Sequence, residues 1–392
     1  MTPGDWHYSR GHGARRWISA LILCLVVVAL LLLIPSPESK PQTNDFAFYW
    51  TAARLVLEGR NPYSPRETVD LQNSLNFPEK GPLVMLNPPW ALPLIVPFGL
   101  LSFSAGKALW FLIGLALVFV SVHWLWDLYG TSDDRWISWL VAVTFLPVAV
   151  VLAIGQIGPL ILFGLAGYLR FEARHMDYLA GAFLFLTALK PHLVFLVWIA
   201  LLLCGLFQRR WRPLAALLAA LAGACFLAVL LDHRAFQQYV GLFEAKKIAF
   251  QETPTLGGLL RRISAIPAMQ YLPLAVAAVW FAVYWKRWRS SWEWRYRLPT
   301  LLLVSMTTAS YAWFFDQVVL LPGVLYATVL LLRSQRHVLL GAIVAYLAIN
   351  GFTLFLLLNH RTVFYYSWTA LAWLVLGAAI QQHVTHHALP QT

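Results

Sequence analysis

The run WISALILCLVVVALLLLI at residues 17–34 has no charged side chain in 18 consecutive positions. A helix needs about 20 mostly apolar residues to cross the roughly 30 Å hydrocarbon core of a bilayer, so this run is long enough to span it. Apolar and polar residues do not alternate along the run, as they would in a transmembrane β-strand. Basic residues precede it and no small-residue cleavage site follows it, a pattern that favours an uncleaved membrane anchor over a signal peptide.

The composition of the whole chain agrees with this first run. Of 392 residues, 60% are hydrophobic and 12% are charged, whereas soluble domains are about 45–50% apolar and about 25% charged. These values exclude a soluble globular enzyme and a disordered chain. The formal net charge of +12 indicates membrane orientation and lipid headgroups rather than nucleic acid. We therefore predict an all-α polytopic membrane protein in which residues 1–392 form one integral membrane domain, with no nucleic-acid partner.

Clusters of basic residues separate some of the twelve apolar stretches that follow. The positive-inside rule places these clusters in the cytoplasm, together with both termini and the tail 1–16. Two long segments, 35–83 and 232–270, then become outer loops. Because both ends lie inside, the number of crossings is even and one stretch does not cross. The proline-rich stretch 84–101 is the first candidate, and one broken crossing over 136–170 is the alternative. We expect about 12 transmembrane helices in the inner (plasma) membrane.

The first outer loop contains a pattern typical of an amphipathic helix on the membrane surface. Its apolar positions share one face at helical spacing: Phe46, Tyr49, Trp50, Ala53 and Leu57. Asp45 stands at the start of this helix. The sequence leaves two interpretations of Asp45 open, an N-cap of the helix and a general base at the boundary between water and lipid.

Four polar side chains interrupt apolar stretches, where they are costly and mark function by default. Lys190, before Pro191, is either a phosphate contact or a lysine that snorkels to the interface. His192 supports the same phosphate, carries a proton or makes a structural hydrogen bond. Gln156, at a break rich in glycine and proline, is either a site residue or part of a simple turn. Asp316 is either a functional carboxylate or a solvated turn residue.

The second outer loop contains the adjacent arginines Arg261 and Arg262. A guanidinium presents a planar fork of donors that matches phosphate, and a solvated charge pair is the alternative. The chain lacks a Walker loop, a dinucleotide glycine pattern, a His-Glu-x-x-His motif and a Gly-x-Ser-x-Gly motif.

In this order, the motifs resemble the family-87 membrane glycosyltransferases of the GT-C class, the bacterial polyprenyl-phosphate-mannose-dependent mannosyltransferases. The resemblance covers most of the chain. The matching stretches are Asp45-Phe46 through Tyr49, Ala52-Ala53, Gly59 through Asn61-Pro62-Tyr63, Asn87-Pro88-Pro89-Trp90, Gly155-Gln156, Ala180-Gly181 and Leu189-Lys190-Pro191. One departure follows Tyr311-Ala312-Trp313, where several members carry a histidine and this chain has Phe314-Phe315-Asp316.

The resemblance implies a GT-C-like helical bundle with a catalytic cavity on the non-cytoplasmic face. It also implies a sugar donor on a polyprenyl phosphate, mannose as the sugar, and Asp45 as the catalytic base. Because the histidine is missing, a catalytic Asp–His pair is not carried over. Asp316 either replaces it or serves a different acceptor.

We therefore expect a hexosyltransferase that acts on a lipid or glycan acceptor at the extracytoplasmic face, in contact with membrane lipids. A single carboxylate without a nucleophilic partner suggests inversion. Cations of the protein can neutralise the leaving phosphate, so no metal or other cofactor is expected. The expected catalytic residues are Asp45 and Asp316, and the expected substrate-binding residues are Lys190, His192, Gln156, Arg261, Arg262 and Tyr49. Two alternatives remain: a transporter or flippase of lipid-linked sugars without chemistry, and a structural membrane partner with a degenerate site.

Overall fold

The computed structural model describes residues 44–75, 81–246 and 252–388, and this part of the chain is helical without strands. The tail 1–16 and the anchor predicted at 17–34 lie outside the described residues. Within the described ranges there are 17 α-helices. They are α1 (Phe46–Leu57), α2 (Pro65–Ser74), α3 (Leu92–Gly99), α4 (Phe103–Tyr129), α5 (Arg135–Thr144), α6 (Leu146–Ile154), α7 (Gly158–Glu172), α8 (Asp177–Leu184), α9 (Phe195–Gln208), α10 (Trp211–Leu231), α11 (Ala235–Lys246), α12 (Leu256–Ser264), α13 (Leu272–Trp288), α14 (Trp294–Thr308), α15 (Leu321–Leu332), α16 (Arg336–Leu358) and α17 (Thr369–Ala388).

Short 3₁₀ segments extend or interrupt several of these helices. In the described part they are Pro89–Ala91, Phe185–Leu189, Pro191–Val194, Pro267–Tyr271, Arg289–Ser291, Phe314–Leu320 and Val363–Tyr366. A 3₁₀ stretch at a helix end tightens the last turn and redirects the chain. Three of these segments carry or flank polar residues that the sequence places at functional positions.

Seven helical segments of the described residues are long and apolar enough to cross a membrane. They are Phe103–Tyr129, Pro191–Gln208, Trp211–Leu231, Pro267–Ser291, Phe314–Leu332, Arg336–Leu358 and Val363–His383. Helices α5 and α6 are bent by 60° and form an eighth if they count as one broken span. This architecture fits a polytopic membrane protein. The prediction of about 12 transmembrane helices is not confirmed, because several predicted stretches contain only shorter helices, such as α7 and α8.

The proline-rich stretch 84–101 contains one short apolar helical piece, Pro89–Gly99. It is too short to cross about 30 Å of hydrocarbon, and Pro97 lies inside its α-helical part. This favours the prediction that the stretch does not cross. The stretch 136–170 is also broken, as predicted. It contains two breaks, which divide it into three helices: α5, α6 and α7.

Helix α7 lies at the centre of the described bundle. Most of its side chains are buried, and it packs against α4, α8 and the 3₁₀ segments Phe185–Leu189 and Phe314–Leu320. The residues just before its N-terminus therefore meet several distant parts of the chain.

Helix α1 forms where the sequence predicts a helix, but protein surrounds it on nearly every side. It packs against α2, α3 and α4, and nine of its 12 residues are buried, including Thr51 and Ala52 outside the predicted apolar face. Leu57, which belongs to that face, is 41% exposed. This burial does not fit an amphipathic helix that lies on the membrane surface, because α1 packs as a core helix.

Candidate active site

The site begins at the turn between α6 and α7. Gly155 adopts a left-handed conformation with φ of +75°, which ends α6 and favours glycine. A Cβ atom on Gly155 would lie 2.7 Å from Cβ of Phe46, the first residue of α1. The indole Nε1 of Trp110 donates to the Gly155 carbonyl oxygen at 2.9 Å. Glycine thus lets the turn lie directly against the start of α1.

Gln156 joins three side chains at this turn. Its Nε2 donates to Oδ2 of Asp45 at 2.6 Å. Its Oε1 accepts from the Tyr49 hydroxyl at 2.8 Å and from Nζ of Lys190 at 3.1 Å. An ammonium only donates and a carboxylate only accepts, so the amide must turn its oxygen to Lys190 and its nitrogen to Asp45. Gln156 is therefore part of the turn and also connects Asp45, Tyr49 and Lys190.

Lys190 forms an ion pair with Asp316. Its Nζ lies 2.7 Å from Oδ1 of Asp316, whose Oδ2 accepts from the backbone N–H of Trp313 at 3.0 Å. The Asp316 side chain is 0% exposed and that of Lys190 is 12% exposed. The interpretations of Asp316 as a solvated turn residue and of Lys190 as a snorkelling lysine are both wrong, because the two charges neutralise one another inside the protein.

A helix break presents Lys190. It stands between the 3₁₀ segments Phe185–Leu189 and Pro191–Val194, and Pro191 cannot donate a backbone hydrogen bond. The preceding carbonyl oxygens find side-chain donors instead. Nδ2 of Asn87 donates to Leu189 at 3.0 Å, and Nε1 of Trp90 donates to Ala188 at 2.9 Å. These bonds supply the polar partners that a broken helix needs in an apolar setting.

We call Asp45, Tyr49, Gln156, Lys190 and Asp316 the carboxylate–lysine cluster. It contains two carboxylates and one ammonium, drawn from four separate parts of the chain. Burial raises the pKa of Tyr49 well above its usual value, and the nearby Asp45 raises it further. Tyr49 therefore remains a protonated hydrogen-bond donor at physiological pH.

The side chain of Asp45 does not cap α1. It makes no hydrogen bond to the backbone of that helix, and Oδ1 of Asn44 accepts from the Phe46 N–H at 3.2 Å instead. Asp45 is buried and directed to Gln156. The side-chain N-cap interpretation is therefore wrong, which leaves the carboxylate in the cluster.

His192 lies beside the cluster without a hydrogen bond to it in the described residues. Its ring packs edge-on against Tyr311, with centroids 5.6 Å apart. Its buried Nε2 has no hydrogen-bond partner in the described part of the chain. The Tyr311 hydroxyl accepts from Nε1 of Trp313 at 3.1 Å, so His192 contacts the segment that carries Asp316.

The structure separates the two arginines of α12. Arg261 donates to Oε1 of Gln270 at 2.6 Å, and Nε2 of Gln270 donates to the Ser310 carbonyl oxygen at 2.9 Å, next to Tyr311. Arg262 is 58% exposed, pairs with Glu252 at 3.3 Å and lies over the Phe364 ring. Arg261 is thus connected to the segment before Asp316, whereas Arg262 is an exposed member of a charge pair.

Several supporting residues were not assigned a role from the sequence. The sequence indicates Asn87 and Trp90 only as motif residues, although a polar side chain among prolines suggests a carbonyl oxygen that needs a hydrogen-bond donor. Nothing in the sequence indicates a supporting role for Trp110 or Gln270, because an isolated tryptophan or glutamine is common in membrane helices. No group of three or more His, Cys, Asp or Glu side chains in the described residues is placed to hold a metal ion.

The sequence model of glycosyltransferase family 87 matches residues 86–310, which is more than half of the 392-residue chain. The chain belongs to glycosyltransferase family 87. This confirms the family resemblance, and it makes the protein a membrane-embedded glycosyltransferase with a sugar donor and an acceptor. No curated protein and no solved structure gives a match. Gln156 and Lys190 of this family-87 enzyme lie within the matched residues, whereas Asp45 and Asp316 lie on either side of them.

Proposed function

We propose that this family-87 enzyme transfers a hexose from a polyprenyl-phosphate donor to a lipid or glycan acceptor at the extracytoplasmic face. The sugar is mannose, by the resemblance of the motifs. The observation that carries the proposal is the amide of Gln156, which contacts Asp45 through its nitrogen and Lys190 through its oxygen. One side chain thus holds an acid–base group and a phosphate-binding cation beside each other.

Asp45 is the general base in this proposal. Its carboxylate takes the proton from the acceptor hydroxyl as that oxygen attacks the anomeric carbon. The bond from the anomeric carbon to the phosphate oxygen breaks, and the polyprenyl phosphate leaves with the electron pair. The hydrogen bond from Gln156 fixes the position of Asp45, so the base does not have to be ordered during the reaction.

Lys190 stabilises the leaving phosphate. Two of its three ammonium hydrogens are directed to Gln156 and Asp316 in the described residues, and the third can reach a phosphate oxygen. A preorganised cation in a nearly buried site strengthens this interaction as charge develops on the leaving group. Arg261 supplies further positive charge near Tyr311, and Arg262 is assigned to donor capture at the surface.

Asp316 positions Lys190 rather than accepting a proton. Both of its oxygens already accept hydrogen bonds, one from Lys190 and one from Trp313. Its side chain is also fully buried and paired with a cation, which disfavours a nucleophilic or basic role. With one reactive carboxylate, direct displacement and inversion at the anomeric carbon are the simplest outcome, by analogy with inverting glycosidases.

The test is transfer of a radiolabelled hexose from a polyprenyl-phosphate donor to membrane lipid extract, with the purified chain in detergent. Asp45→Asn preserves the shape of the side chain and its acceptor for Gln156, and we expect turnover to fall by about 10²–10⁴-fold. Asp70→Asn, at an exposed carboxylate of α2, is the matched control and retains turnover. Full activity of Asp45→Asn would exclude Asp45 as the base.

A transporter or flippase is the main alternative, and a degenerate structural partner is the second. A flippase moves lipid-linked sugar across vesicles without an acceptor and forms no new glycosidic bond. A degenerate partner shows neither activity. Acceptor-dependent product formation by the wild-type chain separates the proposal from both.

A further inference from the structure

A polar groove lies between the segment after α1 and helix α11, outside the carboxylate–lysine cluster. Its volume is about 560 Å³, within the range of about 300–1,000 Å³ that is common for ligand sites. Six polar side chains line it: Arg60, Asn61, Glu67, Arg234, Gln237 and Gln238.

One wall of the groove is held rigidly by its own hydrogen bonds. Oε2 of Glu67 accepts from Nε of Arg60 at 3.1 Å and from the Asn61 backbone N–H at 3.3 Å. Oδ1 of Asn61 accepts from the Tyr63 N–H at 2.8 Å, which leaves the Asn61 amide nitrogen without a partner among the described residues. This wall therefore presents a fixed donor beside a carboxylate.

The opposite wall, on α11, carries amide groups that have no partner among the described residues. Oε1 of Gln238 is buried and accepts no hydrogen bond in the described part of the chain. The side chain of Gln237 is exposed and likewise bonds to no described residue. A buried amide oxygen without a donor is costly, and a turn of the Gln238 side chain towards the groove lets a ligand hydroxyl supply one.

Two arginines and one glutamate line the groove, and each arginine lies beside a carboxylate. Arg60 pairs with Glu67 at 3.1 Å, and Nε of Arg234 lies 4.0 Å from Oδ1 of Asp232. Strong binding of free phosphate usually takes a cluster of arginines that are not already paired with carboxylates. Arginines that already face carboxylates, together with convergent amides, instead favour a neutral ligand that both donates and accepts hydrogen bonds, such as a carbohydrate.

A short chain of contacts connects the groove to Lys190. The rings of Tyr63 and Tyr239 pack with centroids 5.2 Å apart. The Tyr63 hydroxyl donates to the Asn87 carbonyl oxygen at 3.2 Å, and Nδ2 of Asn87 donates to the Leu189 carbonyl oxygen, next to Lys190. The same residues, Tyr63 and Asn87, therefore pack next to the groove and next to the segment that carries Lys190.

The groove is nevertheless too far from Asp45 to hold the reacting hydroxyl. It adjoins the C-terminal end of α1, whereas Asp45 precedes the N-terminal end. The 12 residues of α1 span about 18 Å at 1.5 Å per residue. Several linked sugar units can extend from the groove to Asp45 over this length, whereas a single hexose is too short.

We propose that the groove binds the sugar units of an extended hexose acceptor that lie remote from the reacting hydroxyl. This inference rests on the proposed function and adds where the acceptor is recognised. Contacts to a remote part of a substrate contribute binding energy that improves reaction at a distant centre. The groove thus selects acceptors that already contain several sugars.

The first experiment measures binding of mannotetraose to the purified full-length chain by isothermal titration calorimetry. We expect Asn61→Ala with Gln237→Ala to weaken binding at least tenfold. Glu244→Gln, an exposed change on α11 away from the groove, leaves it unchanged. No binding to the wild-type chain, equal binding to the double variant, or displacement of mannotetraose by inorganic phosphate would each overturn the proposal. Gln237→Ala alone changes an exposed side chain and tests the same loss without risk to folding.

The second experiment separates this inference from the proposed function. We expect the double variant to raise KM for an oligosaccharide acceptor and to leave KM for the polyprenyl-phosphate donor unchanged. Tetrasaccharide binding without sugar transfer contradicts the proposed function alone. Sugar transfer with an unchanged acceptor KM in the double variant contradicts the groove alone.

Discussion

Nζ of Lys190 lies 2.7 Å from Oδ1 of Asp316, although 126 residues separate the two along the chain. The pair joins the break before Pro191 to the 3₁₀ segment Phe314–Leu320. Because Asp316 is fully buried, its charge depends on this one lysine and on the Trp313 N–H. The ion pair therefore belongs both to the fold and to the site.

Removing the lysine should destabilise the protein strongly. Lys190→Ala leaves the Asp316 carboxylate buried without its cation, and we expect a loss of about 3–5 kcal/mol in the free energy of unfolding. Thermal unfolding in detergent measures it. Glu293→Gln, which removes an exposed pair with Arg295, is the control and should cost less than about 1 kcal/mol. Equal costs for the two variants would show that the pair is solvated.

Removing both charges should separate stability from activity. Lys190→Met with Asp316→Leu replaces the buried pair by apolar side chains, which is often neutral or stabilising. We expect this variant to unfold at nearly the wild-type temperature and to lose sugar transfer, because the cation for the leaving phosphate is gone. Retained transfer would contradict the role of Lys190.

A carboxylate at position 156 should change the pH dependence of the reaction. Gln156→Glu places a second carboxylate where the amide nitrogen lies 2.6 Å from Asp45. Two carboxylates at this distance resist simultaneous ionisation, so the base becomes deprotonated only at higher pH. We expect the acid limb of the kcat/KM profile to move upward by about one pH unit or more. The exposed Gln335→Glu provides the comparison, and an unmoved acid limb in Gln156→Glu would contradict the contact with Asp45.

A methyl group at Gly155 should push the start of α1 away from Gln156. Gly155→Ala combines a left-handed backbone with a Cβ atom 2.7 Å from Phe46, and we expect a loss of about 2 kcal/mol or more together with reduced transfer. Gly341→Ala in α16 meets no atom within 4 Å. That change should be neutral or should stabilise by about 0.5–1 kcal/mol. Similar unfolding temperatures for the two variants would rule out the close approach.

The buried hydroxyl of Tyr49 should contribute to alkaline unfolding. Its pKa is raised by burial and by Asp45, so the folded state holds the proton more tightly than the unfolded state. The tighter proton binding adds to the free energy of unfolding. This contribution is complete below about pH 10 and is lost as the pH rises from there towards the raised pKa. We expect Tyr49→Phe to make the fall in stability above pH 10 less steep by up to about 1.4 kcal/mol per pH unit. An identical slope in both proteins would mean that Tyr49 titrates as an exposed tyrosine.

The sequence predicts the members of the cluster better than it predicts their arrangement. Gln156, Lys190 and Asp316 are recognisable because a polar side chain in an apolar stretch is costly unless the protein uses it. Their mutual contacts are not, since separations such as 126 residues leave no local pattern. The sequence leaves Asp316 open as a functional carboxylate or a solvated turn residue, because it does not show that the chain continues there into a buried 3₁₀ segment.

The differences between the predicted and the observed fold have a related cause. In a membrane protein, apolar side chains face both lipid and protein, so hydrophobic periodicity does not show which face is buried. Helix α1 has an apparent apolar face, and yet nine of its 12 residues are buried. Length is equally ambiguous, because stretches that hold α7 and α8 are as apolar as spans but contain shorter helices.

The side chains that donate hydrogen bonds to carbonyl oxygens at the helix breaks have an evolutionary consequence. Asn87, Trp90 and Trp110 do not touch the reacting groups, yet each bonds a carbonyl next to a cluster residue or at the adjoining break. Loss of one of these side chains leaves a carbonyl oxygen unpaired and frees the backbone segment that positions Lys190 or Gln156. Substitutions at these three positions should therefore be inherited together with compensating changes at the breaks, so that related sequences reveal the supports by covariation rather than by conservation of catalytic chemistry.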